Sequence, residues 1–166
     1  MRHAGHTSPS PSTPRSRDSI VRDVTPKDAP AWLRLRRGLW PAQAESEHAA
    51  DIAEFLEGRA REPLAVLVAA DKAEQLVGFA ELSIRAYAEG CHTDRIAYLE
   101  GWYVVPAARH QGIGRALIAA AEAWGRAQGC VEFASDAELM SGASAAAHQA
   151  LGFREVGRVR CFRKDL

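Results

Sequence analysis

The chain has 166 residues, with 21 Lys and Arg set against 21 Asp and Glu. That length predicts one domain whose core is large enough to need no disulfide or metal staple. A hydrophobic content of 47% at zero net charge excludes a wholly disordered chain and a dedicated basic nucleic-acid binder, and the lack of any run of about 18 apolar residues argues against a membrane-spanning helix.

The neutral total is a sum of unlike parts. Residues 1–17 hold nine Ser, Thr or Pro and three Arg but no acid, which leaves 18 basic and 21 acidic side chains for the other 149 residues. Such a segment cannot bury enough surface to offset its ordering entropy. The sequence therefore predicts a disordered tail over 1–18 and one folded domain over 19–166. The tail lacks the apolar stretch of a secretory signal.

Ile20 to Val24 suits a first strand. Thr25, Pro26 and Asp28 then form a helix start, with a capping hydroxyl, a proline at the first position and an acid in the first turn. The helix should run to about Gly38 with Trp32, Leu35 and Leu39 on one face. A second helix is predicted over 46–58, where Ile52, Phe55 and Leu56 have helical spacing. Five acids (Glu45, Glu47, Asp51, Glu54, Glu57) fall between residues 41 and 58 without one Lys or Arg. They could form a solvated helix face or the mouth of a site for a cationic ligand.

Leu64 to Ala70 is a continuous apolar run and reads as a buried strand. Leu76 to Ala86 reads as its hairpin partner, and Tyr87 to Asp94 as a loop. Ile96 to Val105 is the strongest strand and ends at Pro106. A helix follows from about Gly112 to Gln128, with Ile113, Leu117, Ala121 and Trp124 as its apolar stripe. A strand over Cys130–Ser135, a short Ala-rich helix over Ser144–Leu151 and a last strand over Val156–Lys164 complete the order. The strand–helix–strand unit at 96–135 should be parallel and right-handed. The expected fold is α/β, with a mixed and largely antiparallel sheet flanked by helices. Cys91, Cys130 and Cys161 are too scattered for a disulfide framework and form no CxxC pair for zinc. Cys130 and Cys161 are expected as core fillers on strands, no metal is expected, and the reducing cytoplasm is the predicted compartment.

The densest chemical signal is Arg109-His110-Gln111-Gly112-Ile113-Gly114-Arg115, placed after the strongest strand and opening a helix. Glycine lets the backbone approach an anion, and the first helical amides are unpaired donors at the positive end of the helix dipole. The spacing is neither a dinucleotide fingerprint nor a Walker A loop. By itself the segment is a phosphate cradle or a plain strand-to-helix turn.

Val105-Pro106 followed by Arg109, Gly112 and Gly114 resembles the acyl-CoA-binding motif of the GCN5-related N-acetyltransferase (GNAT) superfamily, and Leu151-Gly152-Phe153 resembles its second signature. Leu39-Trp40-Pro41, Gly78-Phe79-Ala80 with Ser83-Ile84-Arg85, Leu99-Glu100-Gly101, Ala134-Ser135-Asp136 and His148-Gln149-Ala150 are collinear with the aminoglycoside 6'-N-acetyltransferases. The resemblance implies the GNAT fold and direct acetyl transfer from acetyl-CoA to an amino group of an antibiotic such as kanamycin or tobramycin, without a metal. It implies no nucleic-acid or membrane partner, and a homodimer formed through C-terminal strands.

The resemblance also assigns residues. Arg109, His110, Gln111, Gly112, Ile113, Gly114 and Arg115 would hold the CoA pyrophosphate. A main-chain amide near Tyr103 or Val104 would meet the thioester oxygen. Glu100 and Asp136 are the carboxylates that could take the proton of the attacking amine, directly or through water. By strict alternation Glu100 shares a face with Tyr98 and Trp102, unless a bulge intervenes. Trp40 and Tyr87 would pack against the sugar and attract its ammonium groups. His148, where the superfamily often has Tyr, could protonate the leaving thiolate or only hydrogen-bond the cofactor. Gly157 stands where close relatives tend to carry an acid, which leaves the drug preference open. The alternatives are a GNAT enzyme acting on another small amine, a polyamine or a peptide N-terminus, and a silent acyl-CoA sensor.

Overall fold

The structure, a computed structural model, describes residues 20–138 and 141–165. The tail expected over 1–18 lies outside the described residues. Nine regular elements follow one another as β1 (Ile20–Asp23), α1 (Ala29–Leu39), α2 (Glu45–Leu56), β2 (Ala65–Ala70), β3 (Leu76–Arg85), β4 (Ile96–Val104), α3 (Ile113–Ala127), β5 (Phe133–Ser135) and α4 (Gly142–Ala150). Most expected boundaries agree to within a residue or two, because the periodicity changes from helical to alternating at each one.

The five strands form one sheet in sequence order. The first four pair antiparallel, and β5 pairs with β4 in parallel through the α3 crossover. One core lies between the sheet and α3, around Leu67, Leu82, Leu99, Ile113, Leu117 and Ile118. The other lies against α1 and α2, around Trp32, Leu35, Ile52, Val66, Val68 and Phe79. Burial on both faces explains why β2 reads as an unbroken apolar run. The start of α1 is set by Asp28, whose carboxylate accepts from the Thr25 amide at 2.8 Å and from Arg22 at 2.7 and 2.9 Å. Those bonds hold its acidity well above that of an ordinary carboxyl.

Two departures position the site. The β4–β5 ladder pairs only Ala97–Leu99 with Phe133–Ser135, so Glu100–Val104 has no β5 neighbour. The strand expected from Cys130 forms only from Phe133, where the ladder with β4 begins at Ala97. The strand expected over Val156–Lys164 does not form. That stretch is irregular, with Val156, Val159 and Phe162 exposed. Its β-branched and aromatic residues suit a strand, but among the described residues it pairs with no other strand. Cys161 is therefore exposed rather than a core filler, whereas Cys130 is buried as expected.

A polar network crosses the second core. Glu81 on β3 is 2% exposed, and its Oε1 accepts from Trp32 Nε1 at 2.9 Å. The Arg36 guanidinium lies 3.4 Å from Glu81 and 3.0 Å from Asp51. Burial pushes the Glu81 carboxyl up to about 7 from its ordinary 4.5, although Arg36 and Trp32 pull it down. A carboxyl raised in the folded state binds its proton more tightly there than in the unfolded chain. Its contribution to stability is full below about pH 4.5 and is lost as the pH rises through about 7. Urea unfolding across this window should show stability falling with pH in the parent, and a flatter profile in Glu81→Gln.

Candidate active site

The site opens where β4 and β5 part. Opposite this point the β3–β4 register slips, with Leu82 facing Leu99 and Glu81 facing Gly101, so that Glu100 is the extra residue of a bulge. The bulge reverses the alternation. Trp102 packs with the α3 core and Tyr103 with the α1–α2 core. Glu100 therefore shares the Tyr98 face but not that of Trp102, correcting the expectation from strict alternation. A bulge places two successive side chains on one side, here Glu100 and Gly101.

Glu100 is not a lone carboxylate. Arg85 donates to it through Nε at 3.0 Å and Nη2 at 2.6 Å. The fully buried Ser83 hydroxyl donates to the same carboxylate. The guanidinium carbon of Arg85 stands 3.5 Å from the Tyr98 ring centroid. Burial first, and then the negative charge of Asp136, push the Tyr98 phenol up to about 12. Asp136 follows Ser135, whose ladder partner Leu99 precedes Glu100, so the two carboxylates stand at the same end of the β4–β5 ladder. Asp136 is exposed, and among the described residues no side chain bonds to its carboxylate. Ser83, Arg85 and Tyr98 carry no catalytic spacing in the sequence, and the cross-strand register alone brings them to Glu100.

Trp40, just past α1, is half-buried beside this cluster. It lies edge-on to Phe79, and Arg36 sits 5.2 Å from its ring centroid. Its carbonyl oxygen lies 3.2 Å from Nε2 of the fully buried His48. A Cβ on Gly101 would lie 2.4 Å from the Trp40 ring. Gly101→Ala should push Trp40 aside at a cost of about 1–3 kcal/mol. A lower melting temperature together with a higher acceptor KM would register the displacement. Tyr87 is 70% exposed on the loop after β3. Glu132 anchors that loop by accepting from the His92 and Thr93 amides at 3.0 and 2.8 Å.

The acidic run is partly neutralised from outside itself. Arg37 pairs with Glu45 at 2.6 Å, Arg36 with Asp51, and Arg59 with Glu57 and Glu54. An open depression of about 560 Å³ at the end of α2 is lined by Asp51, Glu54, Arg59, Ala60, Arg61 and Glu62.

The other half of the cleft is the start of α3. Gly112 caps the helix at φ +85°, and a Cβ there would meet nothing within 4 Å. Together with His110 at φ +60°, it turns the backbone into a concave approach to the first amides of α3, which suits an anion. These residues fit a CoA pyrophosphate. Ile113 gives its amide to the rim but its side chain to the core. Gly114 has another duty, since a Cβ there would stand 2.7 Å from the Trp102 ring. Arg109 folds back to donate to the Val104 carbonyl at 2.9 Å, over the Tyr103 ring. Gln111 donates to Ala107 O at 3.1 Å, and Arg115 to Ala150 O at 3.2 Å, tying α4 to the cradle. The Val105 amide donates to Val77 O. Antiparallel alternation then turns the Tyr103 amide toward β3 and the Val104 amide toward the open side.

His148 on α4 faces the parting of the strands. Its ring lies edge-on to Trp102 and Phe153 at centroid distances of 5.6 and 5.2 Å. Among the described residues no group of three or more His, Cys, Asp or Glu side chains could hold a metal ion.

Known proteins resemble this chain both in sequence and in fold. The model of the "Acetyltransferase (GNAT) family" matches residues 30–153. An aminoglycoside N(6')-acetyltransferase type 1 of Klebsiella aerogenes is 54% identical over 147 residues, covering 89% of this chain and 97% of that protein. The protein of that name in Stenotrophomonas maltophilia is 42% identical, with 88% and 93% covered. Among solved structures, the aminoglycoside N-acetyltransferase AAC(6')-Iy in complex with CoA superposes with a TM-score of 0.83 at 37% identity, covering 93% of this chain and all of that one. AAC(6')-Iy bound to the bisubstrate analogue CoA-S-monomethyl-acetylneamine gives 0.82 at 37% identity, with 90% and 99% covered.

Proposed function

The chain belongs to the acetyltransferase (GNAT) family, and from its likeness to aminoglycoside N(6')-acetyltransferases along most of its length we infer that it is an aminoglycoside 6'-N-acetyltransferase, moving the acetyl group of acetyl-CoA directly to an amino group of the antibiotic. The observation that carries this reading is the match along 97% of the Klebsiella aerogenes enzyme. Acetyl transfer needs a neutral amine, a stabilised oxyanion and a proton for the departing thiolate. An alkyl ammonium titrates near ~10, so about one in a thousand is neutral at pH 7.

The cradle from Arg109 to Arg115 binds the pyrophosphate through the first amides of α3, with Gly112 leaving room. The Val104 amide on the open side of β4 is the donor to the thioester oxygen. Asp136, exposed and unpaired among the described residues, takes the ammonium proton through water. Glu100, already held by Arg85 and Ser83, fixes the charge of the acceptor site rather than serving as a free base. Trp40 and Tyr87 pack the sugar, and the acids of α2 with Glu62 attract its more distant amines. His148 supplies the proton that the thiolate needs.

We place the enzyme in the cytoplasm, in keeping with its free cysteines. It is proposed to be a homodimer in which the exposed 156–164 segment finds the strand partner it lacks alone. Light scattering that returned a monomer would refute the dimer. The test of function is CoA thiol release on mixing with acetyl-CoA and an aminoglycoside panel. Release is expected with 6'-amino members such as tobramycin and not with 6'-hydroxy ones. Silence with every member would overturn the reading.

A further inference from the structure

Both ring nitrogens of His148 are already engaged by the protein. Nδ1 lies 2.8 Å from the carbonyl oxygen of Ser144, one helical turn back. A carbonyl only accepts, so Nδ1 carries a proton in every charge state. Nε2 lies 3.0 Å from the Ser135 hydroxyl. In the neutral ring, Nε2 is therefore a bare acceptor, and Ser135 O–H points at it. In the imidazolium, Nε2–H donates to Ser135 Oγ, and the Ser135 proton must turn elsewhere. The Leu99 carbonyl at 3.3 Å can receive it.

The ring cannot swing away easily. Trp102 and Phe153 confine it edge-on, and the Ser144 bond pins it to its own helix. Ser135 is the last β5 residue in the ladder, paired with Leu99 where the strands part. Its neighbour in sequence is Asp136, and its ladder partner Leu99 directly precedes the bulged Glu100. Of the two partners in this hydrogen bond, Ser135 is the one carried on the strand that borders the parting.

We propose that the Ser135 hydroxyl delivers the proton to the departing CoA thiolate, with His148 behind it as the proton reservoir. The Ser135 O–H bond breaks as an S–H bond forms on the thiolate. The His148 Nε2–H bond breaks as a new O–H forms on Ser135. The imidazolium becomes neutral with its Nδ1 proton in place, and solvent reprotonates Nε2 for the next cycle. No oxidant or second co-reactant is needed. The proposal rests on the acetyltransferase reading and on the role given to His148 above.

The first test needs no turnover. In 15N-labelled parent protein, the neutral His148 ring should be protonated at Nδ1 and bare at Nε2. A neutral ring protonated at Nε2 would overturn the relay at once, whatever any variant does. The second test is single-turnover thiol release against pH. Ser135→Ala should slow it about a hundredfold, leave the KM for acetyl-CoA within about twofold, and remove the fall in rate at high pH that marks loss of the imidazolium. Ser135→Thr keeps the hydroxyl and should restore both rate and profile. His148→Gln separates two kinds of failure. If it is slow while Ser135→Ala matches the parent, the relay alone falls. If His148→Gln itself matches the parent, the proton-donor role of His148 falls and takes the relay with it. Either failure leaves the activity assignment standing, because that is judged by thiol release in the parent.

Discussion

Asp136→Asn is expected to slow single-turnover acetyl transfer by about a hundredfold or more. The reason is a contrast between two carboxylates that look alike in the sequence. Glu100 is clamped by Arg85 at 3.0 and 2.6 Å and by Ser83. Arg85 and Ser83 together occupy three of the about four acceptor sites of the Glu100 carboxylate. Asp136 has no such partner among the described residues and stands open to solvent. Without it, the reaction would depend on amine that is already neutral in solution. The rate of Asp136→Asn should therefore climb with pH more steeply than that of the parent, toward the ordinary amine value. Glu100→Gln should act differently, because it leaves the Arg85 charge uncompensated beside a cationic acceptor. A rise in acceptor KM with a smaller loss of kcat is expected there. Stopped-flow thiol release for both variants would decide, and a fully active Asp136→Asn would end the assignment of the base.

The largest effect on stability is expected from Arg36→Leu, at about 3–5 kcal/mol. Arg36 is 6% exposed and stands between Glu81, itself 2% exposed, and Asp51. Removing it strands a carboxyl in the core. Protonation caps the penalty, since Glu81 already titrates near about 7, so the lower end of the range is expected near neutral pH. Replacing both partners with leucine should recover much of the loss, because two desolvated charges leave together. The double variant should still fall short of the parent by about 1–3 kcal/mol, because Trp32 Nε1 then loses its acceptor. Urea melts of the parent, both single variants and the double variant complete the cycle. A cost below about 1 kcal/mol for Arg36→Leu would mean that the network is not structural.

Much of the fold was legible because its signals are local. Pro26 after Thr25 starts a helix, and the continuous apolar run at 64–70 reads as a strand buried on both faces. The cradle was legible for the same reason, since strand, glycine turn and helix are consecutive. The last strand was misread because β-branched and aromatic residues at Val156, Val159 and Phe162 show that a segment suits pairing but not that a partner exists. The acidic run was incompletely read because Arg36, Arg37 and Arg59 lie outside the window in which its charge was counted. Gly114 reads as space for a phosphate, but Trp102 claims that space from across the core.

By itself the sequence determined the order of elements, the cradle at 109–115, the family and the presence of two candidate carboxylates, all of which depend on residues close in the chain or on a collinear pattern. Only the tertiary structure decided what each carboxylate can do. The slip between Glu81 and Leu82 puts Glu100 on the face of Ser83 and Arg85, and the three-pair ladder of β5 ends beside Ser135 and Asp136. Register and splay are set by how whole strands pack against helices, so no window of sequence contains them. They leave Glu100 bonded to Arg85 and Ser83 and leave Asp136 exposed.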